Sequence, residues 1–234
     1  MKNIKLLCFD LDDTLWLSKP VIEQAEQVFY AYLATVAPRL TERFSPTSLR
    51  AHRLAFLDSH PEFKHQISQW RIASLSDALA LCGYRHQSAT IAQQAFSVFL
   101  AERQKVTLFP HCETILGELS KQFMLISLTN GNADLGVQTI SRYFSASYQA
   151  EDVNAAKPSA PLFLKALDVA SCDPEEAIHI GDHVIDDISG AKALGLHTIQ
   201  ARLKPDSPAP HELADTHFSD WRELPSKIQQ LAGS

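Results

Sequence analysis

Three carboxylates, Asp10, Asp12 and Asp13, fall within four positions of the stretch CFDLDDTLWL, directly after the apolar run IKLLCF. In an extended chain side chains alternate with period two, so Asp10 and Asp12 share a face. Two like charges about 4 Å apart repel by roughly 4 kcal/mol at an effective dielectric near 20, so the protein must either use that repulsion or cancel it. Farther along, LTNG holds Thr129 and Asn130, Lys157 stands before Pro158, and GDHVIDDISGA carries Asp182, His183, Asp186 and Asp187. Asp10, Asp12 and Asp182 form a set of hard oxygen ligands suited to Mg2+. Thr129, the backbone N–H groups after it and Lys157 are donors for an anion. Carboxylates beside a hydroxyl and a lysine are what phosphoryl transfer through an aspartyl-phosphate needs.

The elements that must position these groups follow from hydrophobic periodicity. From about residue 105 onward, short β-rich runs alternate with amphipathic ones: a helix near 111 to 121, strand FMLISLT, a helix near 133 to 142, strand SYQAEDV, a helix over 160 to 170, strand AIHIGD, a helix over 186 to 194 and strand HTIQAR. Strands separated by helices of about ten residues imply βαβ units and a parallel sheet. The first strand, IKLLCFD, is followed by a purely helical stretch from about 20 to 104, with four apolar-periodic segments, a start at Ser18 and a stop at Gly83. The expected fold is therefore an α/β, Rossmann-like parallel-sheet core, residues 1–17 and 105–234, with a helical insertion over 18–104. The tail after 202, with Pro205, Pro208, Pro210 and Pro225, reads as a loop followed by a short helix. In such a sheet ligands bind at the carboxyl ends of the strands, where the aspartates, Thr129 and Asn130 fall.

Composition narrows the function classes. With 45% hydrophobic and 21% charged residues among 234, the chain has material for a sizeable core. A net charge of -6 argues against nucleic acid or an anionic membrane as a partner. The apolar start is interrupted by aspartates after about five residues, and no run approaches the roughly 20 residues of a membrane span. Cys8, Cys82, Cys112 and Cys172 form no metal-binding pattern and suit a reducing compartment. A soluble cytoplasmic protein is expected, as monomer or homodimer, acting on a small molecule.

Taken together, DLDDTL, LTNG, Lys157 before Pro158 and GDHVIDDISGA resemble, in order, the four motifs of the haloacid dehalogenase superfamily, spanning residues 8 to 191. The resemblance implies a phosphatase with an α-helical cap, in which Asp10 is the nucleophile and a Mg2+ ligand. Asp12 would protonate the leaving alkoxide, then activate water, and give Mg2+ its backbone carbonyl. Thr129, helped by Asn130 and backbone N–H groups, would bind the phosphoryl oxygens, Lys157 would neutralise charge, and Asp182 would complete the metal shell. Asp187 would act on the metal directly or through water. The stretches LWLSKPVI and QWRIASLSDALALCGY are similar to the bacterial flavin mononucleotide phosphatases, which also act on the ribitylaminouracil phosphate of riboflavin synthesis. Nucleoside monophosphates and sugar phosphates are the alternative substrates.

Several residues carry two readings. Trp16, four positions past Asp12, could stack against an aromatic substrate. Arg71 could face a polar substrate edge or form a salt bridge. Asp13 is expected to shape the turn, Asp186 to face solvent at a helix start, His183 to sit in a solvated loop and His179 to pack in the core. The aromatics Phe29, Tyr30, Tyr32, Phe56, Phe63 and Trp70 fall at helical spacing, as core residues do. A phospho-acceptor signalling module gathers similar groups, but its phosphorylated Asp lies on a later strand, whereas Asp58 here falls within a helical pattern. Asp12 argues against dehalogenation, and phosphate release without a bisphosphate activator separates a hydrolase from a phosphomutase.

Overall fold

The computed structural model describes residues 3–207 and 209–233, which leaves Met1, Lys2, Pro208 and Ser234 outside the description. The chain divides into two compact units, one built from Met1–Ser18 and Thr107–Ser234, the other from Lys19–Val106.

The first unit is an α/β fold. Strand β1 (Leu6–Phe9) is buried at all four positions, as a parallel strand covered on both faces must be. The other unit follows it in the chain with helices α1 (Ser18–Val36), α2 (Pro38–Arg43), α3 (Pro46–Ser59), α4 (Ile67–Leu79) and α5 (Ser88–Arg103). The chain then returns through α6 (Cys112–Leu119), β2 (Met124–Thr129), β3 (Ala146–Gln149), α7 (Ala150–Val153), α8 (Pro161–Ala170), β4 (Ala177–Gly181), α9 (Gly190–Lys192), β5 (His197–Ala201), β6 (Thr216–Phe218) and α10 (Leu224–Gly233). Among the described residues one six-stranded sheet forms, in the order β3-β2-β1-β4-β5-β6, with every pair parallel. This is the Rossmann-like sheet expected. Its strand order reverses direction between β1 and β4, so a crevice opens at their carboxyl ends, where Asp10 and Asp182 follow.

Several local expectations are corrected. The segment 133 to 142 is not one helix but two 3-10 turns, Leu135–Val137 and Thr139–Tyr143. The Asp134 side chain accepts the Gly136 N–H at 2.8 Å, and Gln138 is extended between the turns, so no continuous helix can propagate. The strand expected over SYQAEDV stops at Gln149, because Asp152 accepts the Gln149 N–H at 2.7 Å and draws Ala150–Val153 into a capped helical turn. The helix expected over 186 to 194 is a π-helical turn, Val184–Ser189, running into α9. The tail holds β6, three residues at the sheet edge and too short for a periodic signal. Helix α8 starts from Ala160 without a side-chain cap, and Pro161 occupies its first helical position.

In the helical unit, one buried face of α1 (Ala25, Phe29, Leu33) joins α4 and α5 through Leu75, Ala78, Ala92, Ala95, Phe96 and Phe99. Gly83 is left-handed (φ +82) at the end of the helical run, a conformation that glycine adopts without a Cβ penalty, as the stop expected there requires. Helix α2 was not expected as a separate element. Arg71 forms the ion pair of its two readings: Nη1 donates to Glu26 Oε1 at 2.9 Å, beside Arg53 at 3.3 Å, and the guanidinium lies 4.0 Å from the Phe99 ring centroid. Burial and the neighbouring Arg53 push its pKa down to about 10, which leaves it charged at neutral pH. All four cysteines are free. Among the described residues no helix is long and apolar enough to cross a membrane.

Candidate active site

At the carboxyl ends of β1, β2 and β4 a cavity of about 210 Å³ is lined by six aspartates (10, 12, 13, 182, 186 and 187) and two lysines (157 and 204), with Thr129 and Asn130. Six carboxylates face two ammonium groups, so the lining is strongly anionic.

Asp10 leaves β1 with its N–H donating to Ile180 O at 2.9 Å, which fixes it beside β4. Lys157, whose side chain is 1% exposed, donates from Nζ to Asp10 Oδ1 at 2.7 Å, Asp187 Oδ1 at 2.6 Å and Leu128 O at 2.7 Å. These three bonds use every donor of the ammonium and hold it in one place. Asp187 also accepts from His179 Nε2 at 2.8 Å and from the His183 N–H at 3.0 Å. A carboxylate oxygen accepts here, so the His179 proton is on Nε2; burial holds the ring neutral by lowering its pKa. His179 is thus both the packed residue expected, in edge contact with Phe163, and a support of the site.

These bonds treat the two acids differently. Burial pushes Asp187 up, but Lys157 and His179 outweigh it and hold the carboxyl below its ordinary range. Burial pushes Asp10 well above that range against the pull of Lys157, with Asp187 and Asp182 adding to the rise. Burial and Asp187 likewise raise Asp182, although Lys204 opposes it from 2.7 Å. One lysine cannot compensate both Asp10 and Asp187, and Asp187 has the additional donors. The ionised forms of Asp10 and Asp182 are therefore disfavoured despite their lysine partners, and a divalent cation beside them would stabilise both as carboxylates. Carboxylate oxygens of Asp10, Asp182 and Asp187 lie within 4.8 Å of one another, a donor set that fits Mg2+. The trio places Asp187 beside the metal ligands expected from the sequence, while the Asp12 carboxylate lies outside it.

The loops after the strands are tied to one another. Thr129, buried at the end of β2, accepts the Gly131 N–H on Oγ1 at 3.0 Å, which leaves its own hydroxyl proton to donate. Asn130 does not present its amide to an anion as expected: Oδ1 accepts from Lys157 N at 2.8 Å, and Nδ2 donates to Lys157 O at 2.9 Å and Asp186 Oδ2 at 3.2 Å. Its side chain clamps the Lys157 segment instead. Asp186 stays partly exposed in the first turn of Val184–Ser189, as expected, and the same bond adds it to the cavity lining; its N–H also donates to His183 Nδ1 at 3.1 Å. His183 itself is exposed, as expected.

Asp13 is the turn residue expected, left-handed at φ +61, with Oδ1 accepting the Ser18 N–H at 2.8 Å and Oδ2 accepting Lys204 Nζ at 3.1 Å. Trp16 offers no stacking face: it is fully buried, and its Nε1 donates to Asp12 Oδ1 at 2.9 Å. The expectation that it stacks on an aromatic substrate is corrected accordingly.

Lys204 was missed by the sequence reading, because one lysine after a strand carries no spacing signal. Gly181 was passed over as a functional position. A Cβ there would lie 2.3 Å from Asp187 Cγ, so the carboxylate occupies the space that glycine leaves empty. Gly181→Ala is expected to lose about 2 kcal/mol or more of stability, in the range of forced overpacking, read as a lower urea midpoint with unchanged m-value; an unshifted midpoint contradicts this packing.

Comparison with known proteins agrees with this geometry. The family model for haloacid dehalogenase-like hydrolases matches residues 4–195. The 5-amino-6-(5-phospho-D-ribitylamino)uracil phosphatase YigB of Escherichia coli (strain K12) is 28% identical over 201 residues, 86% of this chain and 84% of that protein. A crystal structure described as a 2-haloacid dehalogenase from Pseudomonas syringae pv. Tomato DC3000 superposes with a TM-score of 0.91 at 37% identity, covering 97% of this chain and 99% of that one. A HAD phosphatase from Thermococcus onnurineus shares the fold at a TM-score of 0.65 and 20% identity, over 96% and 98% of the two chains.

Proposed function

Since the chain belongs to the haloacid dehalogenase-like hydrolases, we propose that it is a cytoplasmic phosphomonoesterase working through an aspartyl-phosphate on Asp10, with residues 18–104 as the substrate-selecting insertion. The observation that carries this reading is the trio of Asp10, Asp182 and Asp187, with Asp10 and Asp187 buried and sharing the Lys157 ammonium, whose three donors are all engaged. It joins a carboxylate nucleophile to a place for a divalent cation, and phosphoryl transfer uses both.

Asp10 attacks phosphorus, and the bond from phosphorus to the ester oxygen breaks. Asp12 gives a proton to the departing alkoxide and later takes one from the water that attacks phosphorus, which breaks the bond to Asp10 and frees inorganic phosphate. Lys157 holds Asp10 in line and places positive charge beside the transferring group, while the Thr129 hydroxyl donates to a phosphoryl oxygen. Asp10, Asp182 and Asp187, with the Asp12 backbone carbonyl, would hold Mg2+, which would supply further positive charge at that group. Asn130, His179 and Lys204 keep Lys157, Asp187 and Asp182 in place.

The substrate we favour is the phosphorylated ribitylaminouracil, on the similarity to the E. coli phosphatase, with flavin mononucleotide beside it on the resemblance carried by LWLSKPVI and QWRIASLSDALALCGY. A second reading, dehalogenation, is favoured by the 37% identity to the P. syringae protein. Halide departure needs no proton and no acid two residues beyond the nucleophile, so Asp12 and the carboxylate trio weigh against it. Steady-state assays of phosphate release from a panel of phosphorylated metabolites, beside halide release from 2-chloropropionate, separate the readings. Phosphate release that EDTA abolishes and added Mg2+ restores is the expected result; halide release alone, or phosphatase activity indifferent to EDTA, overturns the proposal.

A further inference from the structure

We infer that Trp16 is a positioning residue that decides which oxygen of Asp12 carries the transferable proton. The inference rests on the phosphomonoesterase reading, in which Asp12 is the acid and base. An indole N–H donates and never accepts, so its bond to Asp12 Oδ1 at 2.9 Å requires Oδ1 to be an acceptor in both protonation states of the carboxyl. The carbonyl oxygen of a protonated carboxyl is its better acceptor, so the N–H favours Oδ1 in that state and the proton that Asp12 gives and regains resides on Oδ2. During phosphorylation of Asp10 it passes from Oδ2 to the leaving alkoxide as the phosphorus–ester bond breaks. During hydrolysis Oδ2 takes a proton from the attacking water as the bond between phosphorus and Asp10 breaks.

The indole is a fixed reference for this purpose. Trp16 has no exposed surface. Its carbonyl accepts the Asp13 N–H at 2.7 Å, its backbone bridges to Asp12 on one side and Leu108 on the other, and Leu15 O accepts the Phe109 N–H at 2.9 Å. The donor thus comes from a rigid turn directly behind the carboxylate, where it restricts the rotation that a half-buried aspartate otherwise has. A purely structural tryptophan would also satisfy its buried N–H. Replacing it would then cost stability without regard to the leaving group.

The test is Trp16→Phe, which keeps a buried ring and removes the N–H. β-Glycerophosphate has a leaving group that needs a proton, whereas p-nitrophenolate does not. The variant is expected to lose roughly tenfold or more in kcat on β-glycerophosphate at nearly unchanged KM, a share of what positioned proton transfer contributes. The first-turnover burst of p-nitrophenolate should stay within about twofold of the wild-type rate, because that step needs no acid. Equal losses on the two esters, or no loss on either, overturn the inference. Asp12→Asn is measured beside it: continued turnover of β-glycerophosphate in that variant removes the acid role of Asp12 and the inference with it. An inactive Asp12→Asn beside a fully active Trp16→Phe removes only the inference. Circular dichroism establishes folding. If Trp16→Phe does not fold, the benzothiophene isostere of tryptophan, with sulfur in place of N–H, carries the same comparison.

Discussion

Asp10→Asn is expected to abolish phosphomonoester hydrolysis, with a fall in kcat on the order of 10⁴-fold or more, because an amide cannot attack phosphorus and a nucleophile's loss is not made up by its neighbours. Folding should survive the change. The amide oxygen introduced by the substitution can still accept from Lys157 Nζ, which sits 2.7 Å from Asp10 Oδ1. The substitution also removes a buried charge whose ionised form burial already disfavours. Stability in the absence of Mg2+ should therefore be unchanged or higher, while the stabilisation that Mg2+ gives the wild type shrinks. Phosphate release at more than a few per cent of the wild-type rate, or unfolding of the variant, contradicts the role given to Asp10.

Lys157→Met carries the second large effect. The substitution leaves Asp10 and Asp187 buried without the cation they share, and breaking a buried ion pair by removing one partner costs about 3–5 kcal/mol. The loss should appear as a lower urea midpoint at neutral pH, together with a fall in kcat of about 10²-fold or more from the missing positive charge. Its pH dependence has a definite sign. Asp10 binds its proton more tightly folded than unfolded even with Lys157 present. Without the lysine that difference grows, so the folded variant binds more protons than the unfolded chain, and its stability rises as pH falls. The gap to the wild type should narrow on acidification from pH 7. A gap below about 1 kcal/mol at pH 7, or one that widens on acidification, contradicts the account; so small a value is typical of exposed pairs.

The sequence carried the sheet and the helical insertion because both have strong periodic signals: a buried run such as LLCF, and helices such as α1 and α5 with apolar residues at three- and four-residue spacing. Elements decided by single side chains were not legible. Asp134 and Asp152 each redirect the chain with one hydrogen bond, and β6 is three residues long. In the site, Asp10, Thr129 and Asp182 stood out because motif spacing places them at strand ends, and Lys157 because it precedes Pro158 ahead of a helix; the structure brings the four to one cavity. The arrangement of hydrogen bonds could not. Trp16 and Asn130 read as substrate contacts because one follows DLDDTL and the other lies within LTNG, yet their donors go to Asp12 and to the Lys157 segment. Lys204 reaches Asp13 and Asp182 from beyond β5, a tertiary contact with no local pattern behind it. Gly181 matters only because the Asp187 carboxylate fills the space a Cβ would take.

The central claim is that Asp10 is the atom donor to phosphorus, and mass spectrometry of the acid-quenched enzyme tests it most directly. Protein mixed with Mg2+ and a turned-over phosphomonoester, quenched in the steady state and digested, should yield a peptide containing Asp10 with a phosphoryl mass increment that disappears on brief alkaline treatment, as an acyl phosphate does. The increment should be absent in Asp10→Asn. A wild-type peptide free of the increment during confirmed turnover, or the increment on another residue, contradicts the account.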